Sequence, residues 1–232
     1  MASLRHAGCV RCRVKFLIDT SSQRVRSWVA ELPDFVAGQL IVPAASRKNW
    51  GGVFAMDNSA FISFNEQKFF RLQERNKAYA AACLFVTCPD IVGDMRRTLE
   101  VWRHRDRFAN GFKLCVVIQN GAEDLEIPWD ETPAVFIGGT DPWKDSKACL
   151  DVVRTAKMLG KHAHCGRVNQ IKRYKLFAEV GADTCDGSSI ALHDYKLRAI
   201  AREYNNDAPT LFDQIDTDVE TTTTEHAGQD AV

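Results

Sequence analysis

Lys113-Leu-Cys-Val-Val-Ile118-Gln-Asn-Gly121, Ala134-Val-Phe-Ile137-Gly-Gly139 and His162-Ala-His-Cys165-Gly-Arg167 are three short apolar runs, each closed by glycine or polar residues. Runs of this length, bounded by turn residues, read as strands buried on both faces. Between the second and third, residues 144–159 carry a helical period, so the stretch reads as a βα unit of a parallel sheet. The same alternation extends outward. Eight runs recur, at 14–18, 35–42, 53–56, 82–87, 113–118, 134–137, 162–165 and 182–185. Helical periods occupy 21–31, 66–80, 94–107, 144–159, 167–180 and 190–204, while 43–52 and 121–133 are too short for more than a loop or a single turn. Asp145-Ser146 starts one helix, and Gly160 and Gly181 end two others, where the C′ position favours glycine. Eight strands in α/β alternation predict a compact (β/α)8 TIM-type barrel.

The chain has 232 residues, of which 45% are hydrophobic and 26% charged, enough to bury one substantial core. The barrel domain is assigned to 13–204, flanked by an N-terminal extension (1–12) and a tail (205–232). The formal net charge of zero conceals an asymmetry. All 30 basic residues lie at or before Arg202, together with only 22 of the 30 acidic ones. The tail is acidic, contains Thr221-Thr-Thr-Thr224, and has the composition of a disordered segment. A basic body suits a polyanionic partner, although charges that merely solvate helix faces fit equally well. No apolar run approaches the roughly 20 residues that span a bilayer, and no secretion signal opens the chain, so a cytoplasmic location and no membrane partner are expected. Of eight cysteines, Cys83, Cys115, Cys165 and Cys185 fall in or beside apolar runs and read as free buried thiols. Cys9-Val-Arg-Cys12 resembles half a zinc site, but its further ligands would have to come from the seventh strand, at His162, His164 or Cys165; no metal and no cofactor are expected.

The strand ends carry the chemistry. The third strand closes in Asp57-Asn-Ser-Ala-Phe61 and the fourth in Thr87-Cys-Pro-Asp90-Ile-Val-Gly-Asp94. Later strands close in Gln119-Asn-Gly121, Gly138-Gly139-Thr140, Gly166-Arg167 and Asp186-Gly-Ser188. In a closed parallel barrel these ends converge on one mouth. There one carboxylate can attack a sugar carbon while a second moves protons. Arg167, at the mouth, is the best single candidate for a phosphate contact. Arg96-Arg97, Arg103-His-Arg-Asp-Arg107, Lys172-Arg173 and Lys175 are either solvated helix faces or further phosphate contacts.

This set of strand ends resembles the tRNA-guanine transglycosylase family, and more closely its small phage-encoded relatives that act as DNA deazaguanine transglycosylases. The resemblance covers about residues 14–204. Asp57-Asn-Ser-Ala-Phe61 is similar to the family's Asp-Ser-Gly-Gly-Phe segment, which implies that Asp57 is the general acid/base. Asp183-Thr-Cys-Asp186 is similar to the segment that ends in the nucleophile, which implies that role for Asp186. Val117-Ile-Gln119-Asn-Gly121 resembles the segment whose Gln contacts the base, and Phe136-Ile-Gly138-Gly139 the backbone that lies against the purine edge. Asp90 matches the aspartate that recognises the guanine face, with Asp94 its rival. The resemblance implies donation from Gln119 and the Gly139 amide to the base carbonyl, with the glycine pair leaving room for the ring.

No cysteine follows Cys185, so the family's zinc site is absent, and there is no room for the insertion that grips tRNA. The resemblance therefore implies exchange of guanine for a 7-deazaguanine base in DNA, less so in tRNA, in the host cytoplasm if the chain is phage-encoded. Self-association stays open. So do three other readings: an enzyme acting on a phosphorylated small molecule held at Gly138-Gly139, a non-catalytic nucleic-acid-binding relative, and plain helix or turn capping by Asp57 and Asp186.

Overall fold

The computed structural model describes residues 13–20, 22–43 and 48–206. The Cys9/Cys12 pair, Ser21 and nearly all of the acidic tail lie outside them. Eight strands form: β1 (Lys15–Ile18), β2 (Val36–Ile41), β3 (Phe54–Met56), β4 (Cys83–Thr87), β5 (Leu114–Ile118), β6 (Ala134–Ile137), β7 (His162–Cys165) and β8 (Thr184–Cys185). They pair in sequence order, all parallel, and β8 returns to β1 through Lys15↔Thr184 and Phe16↔Cys185, closing the barrel. The TIM-type architecture is thus present.

Nine helices surround the described barrel: α1 (Gln23–Val29), α2 (Glu66–Asn76), α3 (Met95–Trp102), α4 (Asp106–Ala109), α5 (Asp141–Lys144), α6 (Lys147–Met158), α7 (Ile171–Glu179), α8 (Ser188–Ala191) and α9 (Asp194–Asn206). Three expected helices divide in two. At α5/α6 the reason is local, because the Ser146 side chain accepts from the Cys149 N–H and starts a new helix there. α6 and α7 end as expected, with Gly160 at φ +69° and Gly181 at φ +80°, a left-handed conformation that glycine adopts without a Cβ penalty. The β5–β6 connection holds only two single 3-10 turns, at Ala122–Asp124 and Trp129–Glu131. β8 is assigned only Thr184–Cys185, although the Asp183 backbone already bonds both neighbours, its N–H donating to Ala163 O and its carbonyl accepting from the Lys15 N–H, each at 2.9 Å.

Side chains alternate across the barrel wall. Phe16, Ile18, Phe54, Met56, Val116, Ile118, Val135 and Ile137 face the helices, whereas Leu17, Leu40, Ala55, Phe85, Cys115, Val117, Ala134 and Phe136 fill the interior. The interior is aromatic on one side. Phe136 stacks on His164 at 4.8 Å between ring centroids, and Phe85 meets both rings. Cys83, Cys88, Cys115, Cys149, Cys165 and Cys185 are free thiols, and burial pushes Cys83, Cys88 and Cys149 up to about 12. Among the described residues, no helix is long and apolar enough to cross a membrane.

Candidate active site

One pocket opens at the C-terminal ends of the strands, and Asp57, Asp90, Gln119, Gly138, Gly139, Arg167 and Asp186 all line it. Its enclosed cavity is small, about 60 Å³, and opens directly to solvent. Asp57 follows β3, whose last rung holds its N–H on Ile41 O at 2.9 Å. Its Oδ1 accepts from the Thr87 hydroxyl at 3.2 Å. The next residue, Asn58, is buried and fixes the loop: its N–H donates to Thr87 Oγ1 at 2.8 Å, and its Nδ2 donates to Cys88 O at 2.7 Å and Asp90 Oδ1 at 2.9 Å. Asp90 Oδ2 accepts from Gln119 Nε2 at 2.7 Å. Gln119 Oε1 in turn accepts the Gly93 and Gly139 amides, each at 2.8 Å. Across the pocket, Asp186 Oδ1 accepts from His164 Nε2 at 3.0 Å and from the Arg167 N–H at 3.2 Å.

Three carboxylates sharing one pocket cannot all ionise freely. Burial, then the charges of Asp90 and Asp186, push Asp57 up to about 7, against bonds from Ser59 and Thr87. Burial likewise raises Asp90 to about 6, opposed by the bonds from Asn58 and Gln119. Lys144 lies beneath the β7–α7 turn, wholly buried, and its Nζ donates to Gly166 O at 2.6 Å. Burial and the nearby Arg167 charge lower it to about 8, while Asp186 works in the opposite direction. Among the described residues, no group of three or more His, Cys, Asp or Glu side chains is arranged to hold a metal ion.

Several expected roles need correction. Asp94 caps α3, accepting the Arg97 N–H at 3.0 Å, and does not line the pocket; Asp90 alone is placed to read a ligand edge. The Gly139 amide is not free, because Gln119 Oε1 takes it. Only the second N–H of Gln119 Nε2 remains for a ligand. The glycine pair also has a different steric basis from the one anticipated. A Cβ at Gly138 would lie 2.5 Å from Gln119 Nε2, and one at Gly139 2.4 Å from the Trp143 ring. These glycines make room for the Gln119 and Trp143 side chains, and both glycines still line the pocket. Three successive amides, of Gly138, Gly139 and Thr140, are bonded to Ile118 O, Gln119 Oε1 and Asn120 Oδ1.

Arg167 reaches the mouth, but its guanidinium bonds Gly139 O and lies 3.9 Å from the centre of the half-exposed Phe61 ring. Together they form one wall of the pocket. Arg173 is no phosphate contact. It is buried and paired with Asp141 and Asp145. Arg105 and Arg107 pair with Glu131 and Glu66 across the surface.

Sequence reasoning did not find the site roles of His164, Lys144, Asn58 and Thr87. A signal for the first existed: His162-Ala-His164 and Thr184-Cys-Asp186 both have period two on adjacent strands, which places those four side chains on one face.

No family model matches the sequence, and no curated protein matches it. Among solved structures, the chain is similar to a cube-shaped, highly porous protein cage designed by fusing symmetric oligomeric domains, at 11% identity over 91% of this chain and 80% of that one, TM-score 0.47. It is also similar to the aldolase QR15, at 10% identity over 82% and 96% of the two chains, TM-score 0.42. A third is the Bacillus subtilis YkuI protein, with an EAL domain, in complex with c-di-GMP and calcium, at 10% identity over 89% and 55%, TM-score 0.38. Likeness this low carries no functional information.

Proposed function

We propose that this TIM barrel is an enzyme working by paired carboxylates, and specifically a base-exchange glycosyltransferase that replaces guanine in nucleic acid with a 7-deazaguanine base. The observation that supports it best is the asymmetry within one pocket: Asp57 pushed to about 7, facing an Asp186 anchored through a single oxygen. A group titrating near neutrality can both give and take a proton. A fixed carboxylate can attack.

The steps balance. Asp186 forms a bond to C1′ as the C1′–N9 bond breaks, and the electron pair leaves with guanine, which takes the Asp57 proton at its imidazole nitrogen. The incoming base then gives its N9 proton to Asp57 and attacks C1′, and the Asp186–C1′ bond breaks. Positive charge on the sugar ring is offset by the neighbouring carboxylates. Asp90 keeps one lone pair on each oxygen after Asn58 and Gln119 have bonded, enough to accept the N1–H and exocyclic amine of guanine together. The half-exposed Phe61 ring, backed by Arg167, offers a face for stacking. DNA is the favoured acceptor, its target base being extruded or single-stranded.

A second reading, an enzyme for a phosphorylated small molecule, is favoured by the modest pocket volume. The bonded amides of Gly138–Thr140 weigh against the glycine pair as its phosphate cradle. Mass spectrometry of nucleosides from DNA and tRNA of cells expressing the chain with a deazaguanine supply separates the two. Deazaguanosine above the vector control supports base exchange. Its absence from both polymers, with thermal protection by a sugar phosphate and none by guanine, supports the small-molecule reading.

A further inference from the structure

His162 and His164 on β7, with Thr184 and Asp186 on β8, form one continuous chain of hydrogen bonds through the barrel interior. His162 Nε2 lies 2.8 Å from Thr184 Oγ1, which lies 2.9 Å from His164 Nδ1. His164 Nε2 lies 3.0 Å from Asp186 Oδ1. His164 is wholly buried, between the rings of Phe85 and Phe136, and Thr184 is nearly so. At the far end, His162 Nδ1 stands 4.0 Å from Asp183 Oδ2, and Asp183 holds the Lys157 ammonium with both oxygens.

Proton counting gives the chain a direction. Asp186 Oδ1 already accepts the Arg167 N–H, and as an acceptor it takes its second bond from His164, so His164 Nε2 carries hydrogen. In that Nε2–H tautomer the His164 Nδ1 is an acceptor and takes the single hydroxyl hydrogen of Thr184. Thr184 Oγ then has only acceptor capacity left, so His162 Nε2 must donate to it. His162 is held neutral at ordinary pH: burial lowers it to about 4, with Asp183 opposing and His164 and Lys157 reinforcing. Every hydrogen therefore points toward Asp186.

We propose that His162, Thr184 and His164 form a one-way donor chain that fixes the Asp186 carboxylate through Oδ1 and leaves Oδ2 as its reacting oxygen. Oδ1 takes both donors, His164 Nε2 and the Arg167 N–H, while among the described residues Oδ2 has no hydrogen-bond donor and Asp186 faces the pocket. His164 is thus a positioning residue, acting through Asp186, and Thr184 sets its tautomer. The charged groups sharing the pocket with Asp186 are Asp57, Asp90 and Arg167, and Lys144 also interacts with it. The naming of Oδ2 as the attacking atom and the kinetic test of His164 rest on the function proposed above; the donor chain itself does not.

Two-bond 1H–15N correlation spectra of the histidine-labelled full chain at pH 7 read both tautomers directly. We expect His162 and His164 each in the Nε2–H form. In Thr184→Val, His164 should keep that form, because Asp186 still requires it, while His162 should turn to Nδ1–H toward Asp183. Thr184→Ser should restore the wild-type pattern. Nδ1–H or a doubly protonated ring at His164 in the wild type, or a His162 tautomer unmoved by Thr184→Val, overturns the chain. If Thr184→Val fails to fold, the wild-type tautomers and those of Thr184→Ser decide. A kinetic arm addresses positioning: His164→Phe should lower kcat by about 100-fold with KM little changed, while His164→Gln, which can still donate near the Nε2 position, should recover most of it. Equal losses in the two variants would overturn the positioning role. Because the spectra need no turnover, a correct chain with no glycosyl transfer would contradict the proposed function alone.

Discussion

Asp90 Oδ2 and Gln119 Nε2 are 2.7 Å apart, and the same Gln119 amide receives the Gly139 N–H through its oxygen. The residue that holds the ligand-reading carboxylate is therefore the one that ties three strand-end loops together. Gln119→Leu should leave the Gly93 and Gly139 amides without partners, at a stability cost of about 2–6 kcal/mol, toward the lower end because Gly93 is only half-buried, since each orphaned amide costs about 1–3 kcal/mol. Urea unfolding would measure this. A cost below about 0.5 kcal/mol would mean that the loops are held by other contacts.

Asp57 supplies a pH signature. Its carboxyl is raised from 3.8 to about 7 in the fold, so between those values the native state binds a proton that the unfolded chain does not. Stability from this group is full below about 4 and is lost as pH rises through 7. Asp57→Asn should then have little effect on Tm at pH 4 and raise Tm at pH 8, while removing proton transfer to the leaving base. Equal Tm shifts at both pH values would contradict the raised pKa.

Asp90 and Asp94 lie four residues apart, yet their roles separate. Asp94→Ala should cost about 1 kcal/mol through the loss of the α3 cap and leave ligand affinity unchanged. Asp90→Asn should weaken guanine binding by tenfold or more, the loss of a charge-assisted pair of bonds. Calorimetric titration with guanine tests both. An affinity loss confined to Asp94→Ala would reverse the assignment.

Lys144 is the buried cation beneath the site. Lys144→Met should destabilise the protein by about 1–3 kcal/mol, because Gly166 O loses its donor. The lysine is lowered from 10.5 to about 8 in the fold, so the unfolded chain binds the extra proton between these values. Wild type should therefore gain stability relative to the variant as pH rises from 8 to about 10, which a thermal series would resolve. A difference that does not vary with pH would place the Lys144 titration elsewhere.

Much of the fold was legible because each strand is an apolar run closed by a polar turn, and the short connection 121–133 left room only for single turns. Asp57, Asp90, Gln119, Arg167 and Asp186 were legible as strand-end residues, since closure brings those ends together. Their bonds were not. That Gln119 would consume the Gly139 amide, or that Asp94 would cap a helix while Asp90 faced the pocket, depends on loop turns that spacing alone does not specify. His164 escaped because a histidine in an apolar strand reads as packed core, and only the pairing of β7 with β8 brings it to Asp186.

The most direct test is covalent capture. Wild type, Asp57→Asn and Asp186→Asn would be incubated with labelled single- and double-stranded DNA and with tRNA, and then resolved on denaturing gels. The expected result is a nucleic-acid adduct with wild type, and none with Asp186→Asn, since an amide neither attacks C1′ nor offsets the sugar charge. No adduct with any acceptor under conditions where base exchange proceeds, or an adduct at wild-type yield in Asp186→Asn, would contradict Asp186 as the nucleophile.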